Sequence, residues 1–245
     1  MRIKTVLFTC LILALVASTF VPQKVNAAGP TAIYIVHGIN GVDKGQPAME
    51  YDVDVWISGV GCVRSRLQFL GVIGPFNLAP GNYTIAFSPA NLALPCSNAP
   101  LISGVFFFDN LRFYTVIMHL NTLGAPVITP YVHDVYHTTN NNGKARITVV
   151  HAANAGPVDV YLKPSAKPTV RIAHYLSNGY ASMVKTFAGK MKLWMTGPDS
   201  TAVIYGPMYL QTAKFHHYFV YLVGSTTHGL YTTSFSVYTR YNPYP

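Results

Sequence analysis

Four blocks of sequence occur twice in this chain, in the same order, and that repeat limits the possible folds more than any other feature. Ala32 to Asn40 (AIYIVHGIN) matches Arg146 to Asn154 (RITVVHAAN). Tyr51 to Ile57 (YDVDVWI) matches Pro157 to Leu162 (PVDVYL), the first copy carrying an extra segment near Gly41 to Glu50. Leu78 to Phe87 matches Phe187 to Trp194, and Arg112 to Met118 matches His216 to Leu222. Ordered blocks of this kind imply duplication, so the chain reads as two domains over residues 28–137 and 145–245. The polar, turn-prone stretch over residues 138–144 (TTNNNGK) reads as the linker between them.

Each copy reads as all-β. Short runs of β-branched and aromatic residues, bounded by Gly, Pro and Asn, predict strands within Ile33 to Val36, Val53 to Ile57, Tyr83 to Phe87 and Tyr114 to Leu120. Their counterparts are Ile147 to Val150, Val158 to Leu162, Lys192 to Met195 and Tyr218 to Val223. Gly81 and Gly189 read as hairpin turns. No segment has a capped helical period. Short strands at this spacing predict a β-sandwich in each half. Only 10% of the 245 residues are charged, and the 17 tyrosines outnumber the 8 acids, which excludes a disordered chain and a long charged helix.

The N-terminus predicts export. Arg2 and Lys4 precede an apolar run from Thr5 to Phe20, and Val25-Asn26-Ala27 fits a signal cleaved between Ala27 and Ala28. The run is short for a membrane span and is followed by Pro22, so a cleaved signal over residues 1–27 is favoured over a retained anchor. The mature chain has no other candidate transmembrane segment. Arg2, Lys4 and Lys24 leave with the signal and no acid does, so the formal charge falls from +9 to +6. Cys10 also leaves. The remaining Cys62 and Cys96 point to a disulfide in an exported protein, the alternative being two separate thiols.

These blocks resemble the exported bacterial repeats grouped as domain of unknown function 4397. The second copy carries the pattern in Arg146 to Ala152, Val158 to Tyr161 and Ala188-Gly189. The first carries it in Ile35-Val36-His37, Val53 to Trp56, Pro80 to Tyr83 and Tyr114-Thr115-Val116. The insertion and the two cysteines of the first copy depart from it, as does Phe219 where the pattern has Thr. The resemblance implies two tandem immunoglobulin-like β-sandwich domains at the cell surface, in the periplasm or outside the cell. It implies no activity.

Both copies carry a His and an Asp on adjacent segments: His37 with Asp54, and His151 with Asp159. An Asp-oriented His can act as a general base or metal ligand. No nucleophile occupies a matched position, so a structural hydrogen bond is the favoured reading. His133 and His137 have a spacing that suits a metal only on a helix, and the sequence around them is not helical. Ser182 to Lys185 fits S-x-x-K without the accompanying elements of that chemistry. No phosphate loop, dinucleotide fingerprint or zinc-protease motif occurs, and no cofactor is expected.

Three functions follow from this. The first is a non-catalytic binding or structural module outside the cytoplasm, whose partner is a cell-envelope or extracellular protein or an anionic glycan. The second is polyanion or glycan binding by the second copy, where Lys163, Lys167, Arg171, Lys185, Lys190, Lys192 and Lys214 face only Asp159 and Asp199. Motifs for specific nucleic-acid recognition are absent. The third is a glycan hydrolase using acids from the cluster Asp43, Glu50, Asp52 and Asp54, which would have to converge as a pair in a cleft. Asp52 and Asp54 are also a weak calcium motif, but such a site needs six to eight oxygens.

Overall fold

The structure is a computed structural model and describes residues 31–46, 51–133, 144–165 and 167–239. The expected cleavage site at Ala27 and Ala28, Glu50, His137 and residues 138–143 of the expected linker lie outside these.

Among the described residues, sixteen strands form four sheets of four, with one 3-10 turn at Val42–Lys44. In the first half these are β1 (Thr31–His37), β2 (Val53–Ile57), β3 (Gly61–Leu67), β4 (Val72–Leu78), β5 (Gly81–Pro89), β6 (Ile102–Phe108), β7 (Phe113–Leu120) and β8 (Pro126–His133). The second half has β9 (Ala145–His151), β10 (Val158–Pro164), β11 (Val170–Leu176), β12 (Tyr180–Thr186), β13 (Gly189–Thr196), β14 (Val203–Thr212), β15 (His216–Ser225) and β16 (Gly229–Tyr238). The sheet orders are β4-β1-β7-β8 and β3-β2-β5-β6 in the first half, and β12-β9-β15-β16 and β11-β10-β13-β14 in the second. The protein is therefore all-β, two sandwiches in tandem. No helix among the described residues is long and apolar enough to cross a membrane.

The two halves repeat in register as well as in sequence. β1 runs parallel to β7 with Ile33 opposite Tyr114, and β9 runs parallel to β15 with Ile147 opposite Tyr218, as the sequence match requires. In each sandwich the alternate residues of facing strands meet in a core. Ile33, Ile35, Val55, Phe87, Val116 and Met118 fill the first. Ile147, Val149, Val160, Leu193, Val220 and Leu222 fill the second.

A third core joins the sandwiches. Ala32, Val36, Phe113 and Ile117 pack against Val150, Ala152, Phe219, Tyr221 and Val223. The β1–β7 and β9–β15 sheets are thus buried on both faces, which explains why β9 and most of β15 carry no exposed residue. Phe113 stacks on Phe219 with ring centroids 5.3 Å apart. Polar bonds pin the same junction: Asn178 donates to the carbonyls of Leu120 (2.9 Å) and Ala153 (2.6 Å), and Thr233 donates to the carbonyl of Leu70 (2.7 Å).

The turns expected at Gly81 and Gly189 are not hairpins. β4 pairs with β1 while β5 pairs with β2 and β6, so residues 79–80 carry the chain from one sheet to the other. The step from β12 to β13 does the same. Gly81 and Gly189 open the receiving strands at φ of +155° and +137°, where a side chain would be strained.

Candidate functional site

The matched His and Asp of each copy are buried, yet they are not bonded to each other as expected. His37 Nε2 donates to the Tyr51 carbonyl (2.6 Å) and its Nδ1 accepts from Ile39 N (3.3 Å). His151 does the same with the Gly156 carbonyl (2.9 Å) and Ala153 N (3.3 Å). Both ring nitrogens of both histidines are engaged by backbone that turns at the strand end. Burial pushes His37 down to about 4 and lowers His151, so each is neutral at physiological pH.

The aspartates fasten loops instead. Asp54 accepts from Arg66 N (3.0 Å), Asn91 N (3.0 Å) and Cys96 N (2.8 Å). Asp159 accepts from Tyr175 N (2.9 Å) and Asp199 N (3.2 Å), and its Oδ2 lies 3.3 Å from Arg171. Burial alone would raise the Asp159 carboxyl, but those two N–H donors, with His174 and Arg171 beside it, hold it below the usual carboxylate range. The two groups do not meet, because β2 and β10 present these carboxylates away from the sandwich core, toward Arg66 of β3 and Tyr175 of β11. A histidine at a strand end faces a different segment.

The acids of the first copy are engaged separately. Asp52 pairs with Arg66 (2.8 Å). Asp43 accepts from Ser225 Oγ (2.6 Å) and lies 2.7 Å from His228 Nδ1, both in the other sandwich. Each of these described acids is thus taken up by a partner within the chain. Cys62 and Cys96 form a disulfide.

Asp159, His174 and Asp199 bring ligand atoms within 4.8 Å of one another. The cation there is Arg171, 3.3 Å from Asp159 and 3.7 Å from Asp199, and His174 lies 3.2 Å from Asp199. The cluster is thus satisfied by the chain itself.

Apart from Lys214, the basic residues expected at the surface of the second copy divide into two places. Lys167 and Lys185, with Lys144, surround a cavity of about 300 Å³ floored by Leu162, Val184 and Phe187. Lys144 and Lys167 each hold an ammonium 5.5 Å from the Phe187 ring. Lys163, Lys190, Lys192 and Arg171 instead share the outward face of the β11-β10-β13-β14 sheet. Tyr161 and Trp194 lie among them as a cross-strand pair, with rings 5.5 Å apart and 12° from parallel. Lys192 places its ammonium 5.8 Å from the Trp194 ring. No salt bridge to Lys163, Lys190 or Lys192 forms among the described residues. Nothing in the sequence analysis singled out this face. The signal was the two-residue period, which sends Val160 and Leu162 inward and Tyr161 outward.

Residues 31–161 match a family model described as a domain of unknown function (DUF4397). No curated protein sequence matches the chain. Three solved structures are similar over most of it. The Bacillus anthracis TIE protein is 11% identical with a TM-score of 0.22, over 80% of this chain and 33% of that one, so the chain spans about a third of that protein's length. A proposed cell adhesion protein from Bacteroides uniformis is 9% identical with a TM-score of 0.26, over 84% of this chain and 98% of that one. Another from Bacteroides ovatus is 13% identical with a TM-score of 0.27, over 86% and 97%. At these scores the likenesses carry no argument about this chain.

Proposed function

The chain belongs to the DUF4397 family of domains of unknown function, and from that premise we propose that it is a non-catalytic binding module acting at the cell surface or outside the cell. The observation that carries the reading is the use made of the duplicated polar residues. His37, Asp54, His151 and Asp159 are the groups in the repeat best suited to chemistry, and all four are engaged in bonds that hold loops and strand ends. Duplicated architecture is what remains, together with a second domain whose Lys163, Lys190 and Lys192 have no acidic partner among the described residues. A leader over residues 1–27, copies over 28–137 and 145–245 and a joint over 138–144 belong to the same reading.

Fractionation of the native cell, with N-terminal sequencing of the protein recovered, tests it. The expected product lies outside the cytoplasm and begins at Ala28. Recovery of the full chain from the cytoplasm would overturn the proposal. Chemical cross-linking before fractionation identifies what it holds.

A further inference from the structure

We propose that the outward face of the β11-β10-β13-β14 sheet binds an acidic carbohydrate, a polysaccharide with carboxylates on its rings; this rests on the reading of the chain as an extracytoplasmic binding module. Strand alternation builds the face. β13 sends Met191, Leu193 and Met195 into the core and Lys192 and Trp194 outward, and β10 sends Tyr161 and Lys163 out beside them. The register then sets Tyr161 opposite Trp194, Lys163 opposite Lys192, and Lys192 opposite Tyr209 of β14.

Two features of this arrangement are poorly explained by folding alone. Like charges directly opposite on neighbouring strands destabilise a sheet. Lys163 and Lys192 hold such a position, and no salt bridge among the described residues relieves it. Beside them Tyr209 is 76% exposed, and the Tyr161–Trp194 pair is half-buried at the surface rather than in the core. A ligand that is anionic and also has an apolar face would relieve the first and cover the second.

The spacing selects the class. In a uronic acid the carboxylate is borne by the same ring whose C–H face lies on an aromatic side chain, so the cation must stand close to the aromatic ring. Lys192 stands directly opposite the exposed ring of Tyr209 and holds its ammonium over the Trp194 ring, 5.8 Å from the centroid. In a nucleic acid the base that stacks and the phosphate that carries charge are separated by a sugar, so the aromatic ring and the cation need not stand together.

The full chain, purified with its disulfide intact, should be retained on immobilised polygalacturonate, less so as salt rises past about 0.15 M, and not on neutral dextran. Trp194→Ala and Lys192→Gln should each weaken binding roughly tenfold, the effect of removing a central anchor. Tyr209→Ser should weaken it as well, and at that exposure it leaves the fold intact, as an unchanged thermal midpoint would verify. Lys185→Gln makes the same charge change at the Phe187 cavity and should alter binding less than about twofold. Equal losses from Lys185→Gln and Lys192→Gln would reduce the effect to net charge and overturn the site. Equal or tighter binding of oligo-dT with the same Trp194 dependence would assign the face to nucleic acid instead. An exported chain that binds no polygalacturonate refutes this site and leaves the extracytoplasmic reading standing; a cytoplasmic chain refutes that reading whatever it binds.

Discussion

The two sandwiches solve the same loop problem with different chemistry. In the first, Asp54 accepts from Arg66 N and Cys96 N, and both donors sit at positive φ, 53° and 61°. In the second, Asp159 accepts from Tyr175 N and Asp199 N, both at φ of 52°. The register matches too, since Trp56 pairs with Cys62 and Tyr161 pairs with Arg171. Cys62 and Cys96 therefore correspond to Arg171 and Asp199. A disulfide closes the loop in one copy, and a partly exposed Arg–Asp pair, helped by His174 and Tyr175, closes it in the other. The buried carboxylate is the shared device. The clamp across it differs, covalent in one domain and electrostatic in the other.

The largest expected effect is one that should leave no difference between the domains. Free histidine titrates near 6.5. Burial pushes His37 and His119 down to about 4, and His133 and His217 to about 3. Between those values the unfolded chain binds protons that the folded chain refuses. Stability is therefore full above about pH 6.5, falls as pH drops toward 4, and is fully diminished below about 3, by roughly 3–5 kcal/mol per residue. His133 and His217 lie across the junction with rings 6.1 Å apart, bonded to Thr115 and Thr148 (both 2.8 Å). Acid should accordingly unfold both sandwiches in one transition, followed by urea midpoints from pH 8 to pH 4. Two separate acid transitions would show that the junction does not couple them.

The next effect should separate the copies. Replacing both Cys62 and Cys96 with Ser removes the cross-link and should cost about 4 kcal/mol in the chain-entropy account. Reduction of the wild-type protein should do the same. Limited proteolysis should then cut first within residues 90–100, the loop that Cys96 anchors. Preferential cleavage in the second sandwich under reduction would break the comparison.

A smaller effect, and one of opposite sign, would sharpen it. If Arg171 and Asp199 stand where the cysteines stand, then Arg171→Cys with Asp199→Cys should oxidise spontaneously, because the matched cysteines hold their Cα atoms 5.8 Å apart, within disulfide range. The expected gain is about 3 kcal/mol, tempered by the loss of the Arg171 contact to Asp159. Free-thiol titration of the unfolded protein reads the outcome directly, and two persistent thiols would show that the loops differ in geometry.

How much of this was legible in the sequence depends on where each strand lies in its sheet. The eight strands expected from apolar runs are β1, β2, β5 and β7 and their counterparts β9, β10, β13 and β15, the inner pair of every sheet. Inner strands are bonded on both sides, and in two sheets are covered on both faces, so their sequences run apolar. The flanking strands escaped notice because one edge of each is open. β3 alternates through exposed Cys62, Arg64 and Arg66, and β4 and β14 contain Gly-Pro, which reads as a break. The repeat was visible, but the core between the copies was not. At the junction Phe219 stands where the first copy has Thr115, and the sequence showed only a departure from pattern. In space Phe219 stacks on Phe113 and packs 4.4 Å from His133, while Thr115 bonds that histidine. Outward residues such as Trp194 needed the strand period combined with the register between strands, and a single sequence supplies only the period.

The smallest effect tests whether the electrostatic clamp contributes at all. Arg171→Ala removes the guanidinium from Asp159 and Asp199 but leaves the N–H groups of Tyr175 and Asp199 on the buried carboxylate. Arg171 and Asp199 have side chains 42% and 61% exposed, where water screens the pair and ordering two long side chains offsets the attraction. The urea midpoint should therefore move far less than it does on loss of the disulfide, and the remaining shift should vanish in about 1 M salt. The carboxylate needs no cation in the first copy, where three N–H donors suffice. A loss from Arg171→Ala as large as that from removing the disulfide would mean that Asp159, with one backbone donor fewer, relies on its arginine, and the two clamps would then be equivalent in strength as well as in place.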